Sequence, residues 1–309
     1  MIKMKKKIKR IIEIINQNSI GKYEENVLIS KLTTYQSGGV ADLIVFPKNV
    51  ERFILLLKEL RNLEIPFKVI GNGSNLLFSD DEYHGALIKL SELNSVTFHK
   101  NGRILVEAGY SLMKLSLQAA KRGFTGLEFA SGIPGTVGGA IYMNAGAYKS
   151  DMGYIVRNVR VLTPDYRVIT LENKELDFHY RKSFFQTHPG YICLEAEIKL
   201  SLGDRESIES VIQERKERRV ASQPLEYPSA GSVFRNPEGD FAGRLIESLG
   251  LKGKRHGGAM ISDKHANFIV NENHATSSDI KYLIDLAHDK VLEAYGVDLK
   301  IEQEFVNWE

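Results

Sequence analysis

The stretch Phe67-Lys68-Val69-Ile70-Gly71-Asn72-Gly73-Ser74-Asn75 governs how the rest of the chain is read. Four residues of strand composition run directly into a turn with two glycines. Such a turn lets backbone approach a ligand closely and aim successive N–H groups at phosphate oxygens. Upstream, Ala41 to Phe46 reads as a strand, and Val50, Phe53, Ile54, Leu57 and Leu60 form an apolar stripe of helical period that ends before Pro66. Strand, helix, strand makes a βαβ-like module. The turn is not a dinucleotide fingerprint, because Leu76 stands where the third glycine belongs and Leu76 to Asp80 opens no helical pattern. It is not a Walker loop either, lacking Gly-Lys-Ser/Thr. Alone, it supports a phosphate site and a plain tight turn equally.

A second small-residue stretch follows, Ala130-Ser131-Gly132-Ile133-Pro134-Gly135-Thr136-Val137-Gly138-Gly139-Ala140, continued by Asn144-Ala145-Gly146-Ala147. So few side chains cannot fill a core of their own, and the stretch suits a backbone lying against a large flat or phosphorylated ligand. The alternative is a glycine-rich crossing of two buried elements. Two such stretches in one region favour the ligand.

Outward from these, Ser95 to Ala108 reads as a hairpin turning near Asn101-Gly102, and Val159 to Leu171 as another turning at Pro164-Asp165. Leu112, Leu115 and Ala119 mark a helix stopped by Gly123. A boundary falls near residue 204, before a strongly charged helix. Beyond it come a short helix closed by Gly250, a strand near Asn267 to Val270, a long helix from Ser278 to Gly296, and a strand-like tail, Ile301 to Trp308. The expected class is α+β, with segments 1–30 (an N-terminal helix region), 31–90, 91–204 and 205–309.

With 309 residues, 43% hydrophobic and 26% charged, the chain can bury a sizeable core, and its formal charge of +2 gives no reason to expect a nucleic-acid partner. Ile8, Ile11, Ile12 and Ile15 fall at helical spacing with lysines on the other face, so the basic start reads as an amphipathic helix rather than a signal peptide. No stretch reaches membrane-spanning length, and a cytoplasmic protein is expected. The single cysteine, Cys193, excludes an internal disulfide and reads as a buried strand residue. The eight histidines are scattered without a His-Glu-x-x-His, so no metal site is expected.

Two further stretches carry chemistry. In Tyr180-Arg181-Lys182-Ser183-Phe184-Phe185 the arginine suits a two-pronged clamp on a carboxylate, against a surface cation–π contact. In Pro228-Ser229-Ala230-Gly231-Ser232-Val233-Phe234-Arg235-Asn236-Pro237, small residues expose the Ser232 hydroxyl on a loop, and no Gly-x-Ser-x-Gly elbow is present.

Taken in order, these stretches, with Thr33 to Asp42 at the front and His265-Ala266-Asn267-Phe268-Ile269-Val270-Asn271 behind, resemble the UDP-N-acetylenolpyruvoylglucosamine reductases over roughly residues 31–306. The resemblance implies a two-part FAD-binding module of the vanillyl-alcohol-oxidase type and a C-terminal substrate domain. It also implies the shorter class of that family, without an inserted loop carrying a substrate-binding tyrosine. FAD, held non-covalently, would lie against Gly38, Gly39, Gly71, Asn72, Gly73, Ser74, Asn75, Leu76, Ser131, Gly132, Pro134, Gly135, Thr136, Gly138, Gly139, Ala145 and Gly146. NADPH would be the reductant and the enolpyruvyl UDP-sugar the acceptor. Arg181, Ser232 and Glu302 match the family's catalytic positions, while Tyr180, Arg218 and Asn236 are expected to touch substrate. The chain departs from the family at Glu302-Gln303-Glu304-Phe305-Val306-Asn307, where Glu-Val-Arg-x-Ile-Gly is usual, so Glu304 competes with Glu302. The oligomeric state stays open, with a monomer the simpler expectation. Rival readings are a flavin oxidase or dehydrogenase acting on a sugar or alcohol, and a non-catalytic nucleotide-binding protein using the basic N-terminus.

Overall fold

A computed structural model describes residues 2–308. By packing, the chain forms two compact units, one of residues 1–24, 43–71 and 85–217, the other of 25–42, 72–84 and 218–309. Packing thus groups residues differently from the four consecutive segments read from sequence, because 25–42 and 72–84 belong with the C-terminal third.

In the first unit, the helix Ile2–Gln17 buries Ile8, Ile11 and Ile15 of the expected stripe and leaves Ile12 half-buried. The helix Val50–Asn62 starts where Asn49 accepts a hydrogen bond from the Arg52 N–H (2.9 Å), and it buries Phe53, Leu56, Leu57 and Leu60. The strands around it order as Gly21–Leu28, Val40–Pro47, Tyr83–Lys89 and Phe67–Ile70. Tyr83–Lys89 therefore lies between the two strands of the βαβ-like module and runs parallel to Phe67–Ile70, pairing Phe67 with Ala86 and Ile70 with Lys89. A five-stranded antiparallel sheet follows, ordered Val168–Glu172, Val156–Leu162, Ile192–Lys199, Arg103–Glu107 and Val96–Phe98. It contains both expected hairpins. Cys193 is buried on its central strand, with its thiol pushed up to about 12 by desolvation.

In the second unit, Arg255–His256, Ala259–Ile261 and Ile269–Asn271 form an antiparallel sheet, against which the helix Ser277–Tyr295 packs. That helix opens with a Thr276–Asp279 capping box and stops at Gly296, whose φ of 65° is left-handed. Its first N–H groups meet a second carboxylate, since Ser277 and Ser278 donate to Asp80 at 2.7 and 2.9 Å. The tail forms the short strand Glu304–Val306, parallel to Leu76–Phe78. Among the described residues, no helix is long and apolar enough to cross a membrane, and no three His, Cys, Asp or Glu side chains gather as metal ligands.

Candidate functional site

Glycine-rich backbone of the first unit converges at one place. Gly71 ends the strand Phe67–Ile70, and a Cβ there would lie 2.7 Å from the Thr136 hydroxyl. Thr136 in turn caps a six-residue helix, Val137–Tyr142, by accepting from the Gly139 N–H (3.2 Å). The helix start is spent within the protein: Val137 donates to the Tyr110 carbonyl and Gly138 to that of Ala108. In the turn before the helix, residues 131–135, Ser131 and Ile133 likewise donate to the Glu128 and Ala130 carbonyls and Pro134 has no N–H, so phosphate oxygens would be met there by the N–H groups of Gly132 and Gly135. There Pro134 is exposed and Ser131 and Gly132 are half-buried, while Gly135 is buried and its carbonyl accepts from the Leu112 N–H.

Most of these glycines are explained by chain packing. Beyond Gly71, a Cβ on Gly138 would press on Ala108 at 2.9 Å, and one on Gly146 would strike Ser150 and Asp151 across a tight hairpin that Ala145 enters. In the second unit Gly38 (φ 117°) abuts Ile29, Gly39 abuts the Asp80–Asp81 backbone, and Gly73 (φ 65°) abuts Leu32 and Thr33. Gly139 differs. It is exposed within a helix, and its Cβ would meet only the Thr136 hydroxyl, at an ordinary 3.4 Å. Glycine there costs about 0.5–1 kcal/mol of helix stability against alanine, and no neighbour in the protein requires it. A flat group lying on that helix would, so the residues fit FAD.

Arg181 sits in a tight turn closed by paired backbone hydrogen bonds between His179 and Lys182, each 3.0 Å. Its φ of 55° is left-handed, a conformation that costs a non-glycine residue roughly 1 kcal/mol and recurs at functional sites. The turn is braced on the glycine-rich segment. Buried Asn144 donates to the His179 carbonyl (2.8 Å) and accepts from the Gly153 N–H (2.9 Å). Ser183 and Gln186 both donate to the Tyr142 carbonyl at the end of the short helix. The guanidinium lies 5.1 Å from the ring centroid of Tyr180, itself exposed.

The second unit assembles Ser232, Asn75 and Glu302. Gly231 adopts φ 76° with open space around its Cβ position, so glycine is required there by the backbone alone. Buried Asn267 holds the two residues after Ser232: its carbonyl accepts from Val233, its side-chain oxygen from Phe234 (3.0 Å), and its amide donates to the Phe234 carbonyl (2.8 Å). The Glu302 N–H donates to the Val233 carbonyl (2.7 Å), and Asn75 donates from its side chain to the Glu302 carbonyl (3.1 Å). Glu304 is instead the backbone partner of Asn75 and pairs with Leu76. Asn72 and Ser74 lie half-buried in the same turn.

Two expected substrate contacts stand apart from that cluster in local role. The Asn236 side-chain oxygen accepts from Ala242 N–H (3.1 Å) and so caps the helix Ala242–Ser248. Arg218 lies exposed on the helix Arg205–Ser222, where its carbonyl accepts from the Ser222 hydroxyl. Sequence reading did not single out Asn144, Asn267 or Gln303. All three are buried amides whose partners are distant in the chain or on backbone, and no local pattern marks such residues.

Comparison with known proteins assigns the class. The FAD binding domain profile matches residues 41–172, which makes this an FAD-binding protein, and that of the UDP-N-acetylenolpyruvoylglucosamine reductase C-terminal domain matches 223–306. The chain is 43% identical to the UDP-N-acetylenolpyruvoylglucosamine reductase of Anoxybacillus flavithermus over 97% of its length and 99% of the relative's. It is 39% identical to that of Bacillus subtilis with the same coverage. The crystal structure of the Thermus caldophilus enzyme superposes with a TM-score of 0.79 at 37% identity, covering 92% of this chain and 99% of that one. The chain belongs to the UDP-N-acetylenolpyruvoylglucosamine reductase family.

Proposed function

We propose that the chain reduces the enolpyruvyl ether of UDP-N-acetylglucosamine enolpyruvate to UDP-N-acetylmuramate, a step in peptidoglycan precursor synthesis, using FAD and NADPH. The observation that carries this reading is family membership along the whole chain, with separate matches to the cofactor domain and the C-terminal domain. The unexplained glycine at 139 supports it locally.

FAD, when bound, would supply the hydride-transfer chemistry that links NADPH to the vinyl carbon of the substrate. The chain's own residues must then manage charge and a proton. The turn at 131–135 and the exposed backbone of Gly139 would hold the cofactor. Hydride addition pushes negative charge onto the neighbouring carbon and its carboxylate, and Arg181 neutralises it with two parallel N–H bonds, a geometry lysine cannot offer. Ser232 gives its hydroxyl proton to the resulting enolate-type carbon, which is basic enough to accept it. Glu302 is placed ahead of Glu304 in this reading because its N–H bonds the residue following Ser232; it polarises the substrate carboxyl when protonated or paired. Tyr180, Arg218 and the Asn236 amide contact the sugar nucleotide. The reaction is assigned to the cytoplasm, and to a monomer, a state that sedimentation checks.

The test is the visible spectrum of the purified protein under anaerobic conditions. Flavin bands that bleach with NADPH and return with the enolpyruvyl sugar nucleotide are expected. Bleaching without return would discard the acceptor while keeping the flavoenzyme. Ser232→Ala should retain reduction by NADPH and slow only reoxidation; equal loss in both half-reactions would remove its role.

A further inference from the structure

We infer that Tyr35 and Gln303 are positioning residues for Ser232, a buried pair that fixes the backbone from which the serine hydroxyl is presented; this rests on the role proposed for Ser232. Tyr35 is fully buried, and its hydroxyl donates to the Gln303 side-chain oxygen at 3.0 Å. Burial pushes the phenol well above its ordinary range, so it remains a neutral donor. A donor at that point pins the amide oxygen and leaves the amide N–H groups facing the other way. They reach the carbonyls of Ala230 and Gly231, at 3.3 and 3.4 Å.

Those two carbonyls precede Ser232, where the chain has least else to hold it. Gly231 is left-handed with nothing within 4 Å of its Cβ position, so no side-chain packing wedges its peptide planes. After the serine, Val233 and Phe234 are tied to Asn267, and Val233 also to Glu302. Gln303 supplies the clamp on the other side. Tyr35 is itself anchored, since buried Asn271 donates to its carbonyl (2.9 Å). A pair of apolar residues would fill this space without the desolvation cost of a buried amide and phenol. A connected polar chain gives instead one defined orientation of the backbone.

The experiment uses FAD-loaded protein and measures both half-reactions separately by anaerobic stopped flow, in Gln303→Leu, Tyr35→Phe, the double variant and Ser232→Ala. Flavin content, spectrum and reduction by NADPH should match the parent. Reoxidation by the enolpyruvyl sugar nucleotide should slow about tenfold or more in Gln303→Leu, less in Tyr35→Phe, as expected for a misplaced proton donor. The solvent deuterium effect on that step should rise, while the substrate concentration giving half the maximal rate stays put. The double variant should be no slower than Gln303→Leu. Unchanged reoxidation, or equal slowing of both half-reactions, overturns the inference. Should Gln303→Leu not fold, Tyr35→Phe, which removes one oxygen, carries the same test. Slow Ser232→Ala with parental Gln303→Leu and Tyr35→Phe removes only the positioning role. A parental rate in Ser232→Ala removes the proton donor itself.

Discussion

At the scale of single residues, glycine and arginine conformations separate structural from functional demand. Gly138 and Gly139 are adjacent and look alike in sequence, yet only Gly138 is pressed by a neighbour, Ala108. Gly139→Ala should therefore stabilise the cofactor-free protein by about 0.5–1 kcal/mol, read as a rise in Tm. The same methyl should weaken FAD binding about tenfold or more by crowding the bound ring. Equal FAD affinity in the variant would place the flavin elsewhere. Arg181 makes the opposite trade, holding a left-handed φ of 55° that glycine would adopt freely. Arg181→Gly should gain roughly 1 kcal/mol of stability in urea titrations while reoxidation by substrate is slowed by the equivalent of about 3 kcal/mol. A parental reoxidation rate would remove the guanidinium from the mechanism.

At the scale of elements, caps and braces decide what the site residues rest on. The helix Ser277–Tyr295 has its own capping box, and Asp80 adds a carboxylate to its first N–H groups from a distant part of the sequence. Asp80→Ala should cost about 1 kcal/mol of stability in chemical denaturation. Near the helix's other end, His288 accepts or donates to Asp289 (2.9 Å) and Asp298 (3.0 Å), and hydrogen bonding to Asp289, then to Asp298, raises its pKa. A raised folded pKa means stability that is fully present below the unfolded value near 6.5 and lost as pH rises through the folded one. His288→Gln should thus lower stability at pH 6 by less than about 1 kcal/mol, the exposed carboxylates being screened, and scarcely alter it at pH 9. Helices with an apolar stripe and a cap, such as Val50–Asn62 and Ser277–Tyr295, were legible in sequence, as were both hairpins. The helix Val137–Tyr142 was not, because its glycines carry no stripe and its cap, Thr136, sits inside a run of loop-forming residues.

At the scale of the whole molecule, the sequence by itself determined the α+β class and most of its elements, and the order of its motifs carried the resemblance to the flavoprotein family. It could do so because periodicity, capping and contiguous motifs are local properties of the chain. Tertiary structure alone decided three other matters. It recruited residues 25–42 and 72–84 into the unit built by the C-terminal third, so that Tyr35 meets Gln303 across 268 positions of chain. It showed that Gly38, Gly39, Gly71 and Gly73 are required by neighbouring segments, with or without a ligand. And it set Glu302 beside the Ser232 loop while giving Glu304 to the strand pairing with Leu76. Each of these depends on which distant segments approach within hydrogen-bond or van der Waals reach. That is settled by the free energy of burying apolar surface and pairing polar groups over the entire fold, and no window of sequence contains it.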